Sequence, residues 1–274
     1  MATSALPAPA PGTPSIVVYA PRDRSRAMTR SIFPRRRHRV VMTRSPDSFE
    51  GAFRDALVDA AVVDLGAASV GAEETWRAAR FAAEFPSVPF FGLLPLRASD
   101  GQALAQCIAC EFSDVLVEGI DDAVARDLVT RQSFTARFAR ALEDPPPALR
   151  LCSPLQVATW RSVVGRAGVG VRTDSLAEGL HVTREHLSRT FAANGGPNLK
   201  RVIDLVRLLA AAELAKNPGY DVRDVAKVLG FASPSHLSTT SQRIIGTKSA
   251  SLSRLRTIDL IDRFARGHGR SRQS

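Results

Sequence analysis

Apolar residues change their rhythm halfway along this chain. In the first half they come in short runs: Ser15 to Tyr19, Arg39 to Thr43, Ala60 to Leu65, Pro89 to Leu94 and Asp114 to Val117. Runs of this length with little polar alternation read as strands buried on both faces. The segments between them, near 47–57, 73–84 and 99–110, have helical spacing. Strands alternating with helices predict an α/β domain, a five-stranded parallel sheet with helices on both sides. A helix is expected from about Asp122 to Leu142, and Pro145-Pro146-Pro147 marks a linker, so residues 131–149 are read as linker helix and Pro-rich linker.

The second half reads as all-α, and it repeats itself. Leu176-Ala177-Glu178 to His186-Leu187-Ser188 recurs 49 to 50 residues later as Val225-Ala226-Lys227 to His236-Leu237-Ser238. Each copy reads as a short helix, a tight turn and a second helix ended by glycine. In the first copy Asp174 is the candidate cap, with Leu176, Ala177 and Leu180 turned inward. His181 and Val182 form the turn, and Thr183 caps a helix from about Arg184 to Asn194 with Leu187 and Phe191 on one face. Gly195-Gly196-Pro197 stops it. In the second copy Asp221 and Asp224 suggest a short capping box, and Leu229-Gly230-Phe231 makes the turn. Ser233 caps a helix with Pro234 in its first turn, and Gly246 closes it. Between the copies, apolar positions 199, 202, 203, 206, 209 and 210 predict a helix from Leu199 to Lys216 with one buried stripe. Lys200, Arg201, Asp204 and Arg207 fall on its other side, and Asn217-Pro218-Gly219 ends it.

These motifs resemble the AraC/XylS family of bacterial transcription factors. The most specific parts are Leu187-Ser188-Arg189-Thr190-Phe191, the stretch from Arg207 to Ala212, and Val225-Ala226-Lys227-Val228-Leu229-Gly230-Phe231-Ala232-Ser233. The resemblance implies a DNA-binding domain over residues 150–252, acting as activator or repressor, with the second helix of each motif in a major groove of double-stranded DNA. It implies readout by Arg184, Glu185, Ser188 and Arg189 in the first motif, and by Ser235, His236, Thr239 and Arg243 in the second. The chain departs from the family after Ser233. Thr239 stands where the family has arginine, Ser241 where it has phenylalanine, and Gly246-Thr247-Lys248-Ser249 where it has G-x-S-P. A phenylalanine lost from a buried position forfeits roughly 1.5–3 kcal/mol, so the first motif is expected to be the stronger reader.

Charge divides the chain at the same place. Residues 148–274 carry a net +11 and residues 1–147 a net −1. A basic half steers itself onto phosphates and binds them less tightly as salt rises. From residue 253 the chain is expected to be a basic tail, carrying Arg263, Arg266, Arg270 and Arg272.

In its order of elements, the segment from about 15 to 130 resembles the receiver domain of bacterial response regulators. That resemblance puts Asp64 at the phosphoacceptor position. A working receiver also needs an acidic pair after the first strand, a Thr or Ser after the fourth and a lysine after the fifth. Here the corresponding stretches are Ala20-Pro21-Arg22-Asp23, Gly92-Leu93-Leu94-Pro95 and Val117-Glu118-Gly119. Without a metal cluster nothing neutralises the charge developing on a transferred phosphoryl group. Asp64 is therefore expected to cap a helix at a strand end, in a domain used without phosphorylation for dimerisation or for sensing a partner or ligand. Nine arginines between 22 and 44 give residues 1–44 a net +8, against −9 for residues 45–147. They read as charge balance within one domain, as a second contact to the DNA backbone, or as a pocket for an anion.

Little else carries chemistry. Cys107 and Cys110 are spaced Cys-x-x-Cys, but with Cys152 they lack a fourth metal ligand, and they read as ordinary thiols of a reducing compartment. The five histidines, His38, His181, His186, His236 and His268, are scattered. No catalytic residue, metal or cofactor is expected, and no enzyme. Residues 1–14, rich in Ala and Pro, have neither the pattern of a secretory signal nor that of an ordered element, and no run is apolar enough to span a membrane. The expectation is a cytoplasmic, nucleoid-associated, sequence-specific transcription regulator that forms a homodimer or meets RNA polymerase or another regulator. The competing readings are a protein-interaction adaptor with degenerate helix-turn-helix motifs and a phosphorylation-dependent regulator acting through Asp64.

Overall fold

The computed structural model describes residues 15–36, 38–69 and 71–270. The expectation for residues 1–14, the last four residues of the expected tail and Arg37 of the arginine cluster lie outside the described residues. Two compact units are present. The N-terminal unit comprises residues up to Phe53, Val58–Ala83 and Val88–Ser133; the C-terminal unit comprises Arg54–Leu57, Glu84–Ser87 and the chain from Phe134 onward.

The N-terminal unit runs β1 (Ser15–Tyr19), α1 (Asp23–Ile32), β2 (Arg39–Thr43), α2 (Pro46–Ala52), β3 (Ala60–Asp64), α3 (Ala72–Arg80), β4 (Phe90–Leu94), α4 (Gly101–Ala109), β5 (Asp114–Val117) and α5 (Asp122–Gln132). The strands pair in parallel in the order β2-β1-β3-β4-β5. That is the doubly wound order of flavodoxin-like sheets and of receivers. Alternate side chains feed two cores. Ile16, Val18, Ala60, Val62, Phe91 and Leu93 join Ile32, Ala125 and Val129 from α1 and α5. Tyr19 and Phe90 point the other way and meet Phe49, Phe53 and Phe81, where Phe53 stacks on Phe90 at 5.7 Å. The expected strands are found within a residue of their expected ends. Helix α1 is new: it is buried through Ser25, Arg26, Thr29 and Ile32, so most of its inner face is polar and gives no apolar rhythm.

The single helix expected from Asp122 to Leu142 is two. Ser133 takes an extended conformation (φ −55, ψ 153), donates its hydroxyl to the Thr130 carbonyl at 2.8 Å and ends α5. Helix α6 (Phe134–Ala141) starts the helical part of the C-terminal unit. There follow α7 (Pro154–Val164), α8 (Thr173–Gly179), α9 (Arg184–Phe191), α10 (Leu199–Leu214), α11 (Val222–Val228), α12 (Pro234–Ile245) and α13 (Thr257–Arg270).

Helix α10 is the hub of this unit. Beyond the expected stripe it buries Leu205, Leu208, Ala211, Ala212 and Leu214, because neighbours pack around most of its circumference. Lys200 is exposed as expected, but Arg201 and Arg207 are drawn inward, contrary to expectation. The Arg207 guanidinium lies 4.1 Å from the Phe231 ring centroid and Arg201 lies 5.4 Å from that of Phe264, cation–π contacts that let a charged head sit on an apolar wall. Burial lowers the Arg207 pKa from its ordinary value, with Asp204 opposing the shift.

Two further expectations are corrected. Asp174 does not cap α8; Arg172 holds the cap position without a side-chain bond, and Asp174 lies in the first turn, 3.3 Å from Arg184. Nor is the chain from 253 a simple tail. Residues 257–270 form α13, which packs on α10 and α12 and buries Leu260, Ile261 and Phe264. Leu260 and Phe264 are four apart and so share one helical face. Replacing Phe264 by Ala is expected to lower stability by about 3–5 kcal/mol, as buried Phe-to-Ala changes do. A urea titration checks it: a residue in a disordered tail would leave the midpoint unchanged.

Candidate functional site

The first helix-turn-helix motif is α8, a turn and α9. Thr183 accepts a hydrogen bond from the His186 amide at 3.2 Å and starts α9. Leu187 and Phe191 are buried, while Arg184, Glu185, Ser188 and Arg189 are exposed on the helix's other side. The end of α9 is braced by α7. Ser153 and Gln156 form a capping box at the start of α7, and Gln156 Nε2 donates to the Phe191 carbonyl at 2.9 Å. The turn is held by His181 at φ 54, a left-handed conformation that histidine tolerates better than most residues.

The second motif is α11, a turn and α12. Asp221 and Asp224 make the expected capping box, and Gly230 supplies the left-handed turn residue at φ 69, the position His181 occupies in the first copy. Ser233 caps α12 through the His236 amide at 3.0 Å, Pro234 opens it, and Gly246 ends it at φ 66. Ser235, His236, Thr239 and Arg243 are all exposed. Two of them have partners. His236 Nδ1 accepts from the Ala232 amide at 3.3 Å, and Arg243 reaches Asp204 of α10 at 2.9 Å, tying α12 to the linking helix. Ser241 is fully buried, and its hydroxyl donates to the Thr247 carbonyl at 2.6 Å. A buried hydroxyl with a partner costs far less than one without.

The arrangement therefore presents two capped helices, each with polar side chains exposed from its first turns onward. A recognition helix enters the major groove with such residues. Arg184 holds only an exposed ion pair with Asp174, of a kind worth about 0–1 kcal/mol and easily exchanged for DNA. Arg189 is exposed, with no carboxylate paired to it among the described residues.

The strand-end carboxylate of the N-terminal unit has a different environment from the one expected. Asp64 is fully buried and caps no helix. Arg22, from the loop after β1, donates Nε to both its oxygens at 3.0 and 2.9 Å, and its Nη2 bridges Asp64 to Glu118 after β5. Arg24 pairs with the other Glu118 oxygen at 2.8 Å. The hydrogen bond to Asp64 raises the Arg22 pKa above its ordinary value, ahead of the opposing effect of burial. Gly66 makes the room, since a Cβ there would collide with the Arg22 guanidinium. Sequence reasoning missed this network; the signal was an arginine in place of one of the acids after the first strand, with a glutamate in place of the lysine after the fifth.

The remaining candidates are quiet. Cys107 is buried, and burial pushes its thiol up to about 11, which keeps it protonated and unreactive at neutral pH. Among the described residues no group of three or more His, Cys, Asp and Glu is arranged to hold a metal, and no helix is long and apolar enough to cross a membrane.

Residues 176–254 match a family described as a helix-turn-helix domain. Among solved structures, a response regulator from Thermotoga maritima is similar at 15% identity, over 44% of this chain and 97% of that one, with a TM-score of 0.37. Full-length FixJ from B. japonicum is similar at 12% identity, over 84% of this chain and 96% of that one, also at a TM-score of 0.37. No curated protein matches the chain. With its two capped helices on one buried linking helix, the C-terminal unit carries a helix-turn-helix domain of the AraC type, joined to an N-terminal unit with a receiver-like fold.

Proposed function

We propose that this protein is a sequence-specific transcription regulator that reads double-stranded DNA with α9 and, less strongly, with α12. The observation that carries the reading is the pair of exposed helix faces at equivalent positions of two motifs sharing α10. Arg184, Glu185, Ser188 and Arg189 are the base-facing residues of the first motif. Ser235, His236 and Thr239 are those of the second, while Arg243 divides its role between Asp204 and the DNA backbone. The loss of the family's arginine at Thr239 supports the weaker role of α12. Such a regulator works in the cytoplasm, where its DNA is.

The N-terminal unit acts without phosphorylation, as a platform for a second copy of the chain, for RNA polymerase or another regulator, or for a small ligand. The Arg22 bridge supports this. Phosphorylation would need a metal ion beside Asp64, and a guanidinium bonded to both carboxylate oxygens already supplies the positive charge there.

Arg189→Ala tests the first part. Arginine can grip a guanine edge with two hydrogen bonds, worth about 1–3 kcal/mol of discrimination. Affinity for duplexes selected from a genomic pool is expected to fall about 5- to 150-fold by that measure, with a much smaller loss on random DNA. Equal losses on both would make Arg189 a phosphate contact, and a wild-type chain with no salt-sensitive DNA binding would leave the adaptor reading.

Two measurements address the second part. Incubation with a small phosphodonor and magnesium is expected to leave the mass of the Asp64 peptide unchanged and DNA affinity unaltered. Arg22→Ala strands the buried Asp64 carboxylate without its counter-charge and leaves Glu118 only its pair with Arg24, and removing one partner of such a buried pair costs about 3–5 kcal/mol. Arg22→Lys keeps the charge without the fork and should lose less. Calorimetric unfolding of both variants provides the comparison.

A further inference from the structure

One side of the N-terminal unit is strongly basic and has no internal use for its charge. Arg30, Arg35, Arg36, Arg39 and Arg44 are all exposed, and among the described residues none is paired with a carboxylate. They lie on α1, on the loop leading into β2 and at the two ends of β2, which is an edge strand with β1 as its sole neighbour among the described residues. Arg39 and Arg44 are separated by the length of that strand, about 17 Å at roughly 3.3 Å per residue. The other arginines of the segment behave differently: Arg22 and Arg24 hold Asp64 and Glu118, and Arg26 is buried against the Ala20 and Pro21 carbonyls. Several acids of the unit are also spent internally, since Asp47 and Glu50 both bind Arg77 and Asp127 binds Arg131. Glu111 and Asp114 lie at the opposite edge, by β5, four strand spacings or about 19 Å away. Part of the charge balance is thus neutralised locally, through Arg22, Arg24 and Arg26, and Asp122 accepts from Ser31 beside Arg30, while the other described arginines of the segment have no carboxylate at ion-pair distance.

The patch lacks what a protein interface needs. A stable protein contact has a desolvated core of large apolar or aromatic side chains. The exposed large apolar residues of this unit are Leu96, Ile108 and Val124, none of them on the 30–44 segment. What remains is a set of unpaired guanidinium groups around one sheet edge, which suits the closely spaced oxygens of a polyphosphate backbone.

We propose that the β2 edge, through Arg35, Arg36, Arg39 and Arg44, is a second DNA-binding surface that grips the phosphate backbone without reading sequence. This rests on the reading of the chain as a DNA-binding protein and assigns the receiver-like unit a direct share of the affinity. The surface makes binding stronger and more salt-dependent, while specificity stays with α9 and α12.

The test is the salt dependence of duplex binding by the full chain and by Arg35→Ala/Arg36→Ala/Arg39→Ala. Each phosphate contact contributes about 0.9 to the slope of log affinity against log salt. Three lost contacts flatten the slope by about 2.7, so between about 50 and 200 mM salt the wild type loses roughly 40-fold more affinity than the variant. The ratio of specific to random-DNA affinity, compared at one salt concentration, is expected to stay constant. The triple lysine variant keeps the charges and is expected to restore the slope, and the triple glutamine variant repeats the experiment should the alanine variant fail to fold. Salt-sensitive binding by the wild type with an unchanged slope in the folded variants would overturn the proposal. So would an unchanged slope with loss of self-association in sedimentation, which would assign the patch to the acidic edge of a second copy. Absence of salt-sensitive DNA binding by the wild type itself would instead defeat the underlying reading of the chain as a DNA-binding protein.

Discussion

Helix α10 must be buried almost all round, and the C-terminal unit is arranged to satisfy that need. A helix with eleven buried residues in sixteen cannot stand alone in water. Helices α7, α11, α12 and α13 all pack on it. Helices α9 and α12 both take their orientation from this arrangement: α12 packs on α10 directly, and α9 packs on α7, which does so in turn. Arg207 and Arg201 show how far the constraint reaches. Their guanidinium groups are laid on Phe231 and Phe264, although each leaves a buried Nε without a hydrogen-bond partner. An unsatisfied buried donor costs about 1–3 kcal/mol, so other contacts of these side chains must offset it.

The second motif illustrates compensation around a lost core residue. Ser241 offers no apolar volume, yet the site is closed: the hydroxyl is satisfied by Thr247, and Ile244 and Ile245 are buried beside it in sequence. Helix α13 adds Leu260, Ile261 and Phe264 to the same unit. The change at exposed Thr239 and the firm packing of α12 are therefore compatible, because the exposed and buried faces of one helix answer to different requirements.

In the N-terminal unit a doubly wound sheet brings the ends of β1, β3 and β5 together, and there one arginine bridges two carboxylates. The bridge neutralises Asp64 from within the chain and needs no external cation. Buried ion pairs of this kind add little net stability, because desolvation offsets attraction, but they are costly to break. Such a site holds one arrangement firmly.

Much of this was legible in local sequence. The five strands announced themselves as short apolar runs, and the second-motif caps at Asp221 and Ser233, with Gly230 and Gly246, could be named because capping and left-handed turns depend on residues within a few positions of one another. The exposed faces of α9 and α12 followed from Leu187, Phe191 and Leu237 by helical spacing. Tertiary structure decided the rest. Helix α1 was hidden because its buried face is polar, and α13 was hidden because its arginines outweighed Leu260 and Phe264 in a reading by composition. Asp64 looked like a cap because its partner stands 42 residues away. Side-chain spacing along one helix is a local property that a sequence carries in full; which charges meet, and which arginines are buried on an aromatic ring, depends on where distant strands and helices converge.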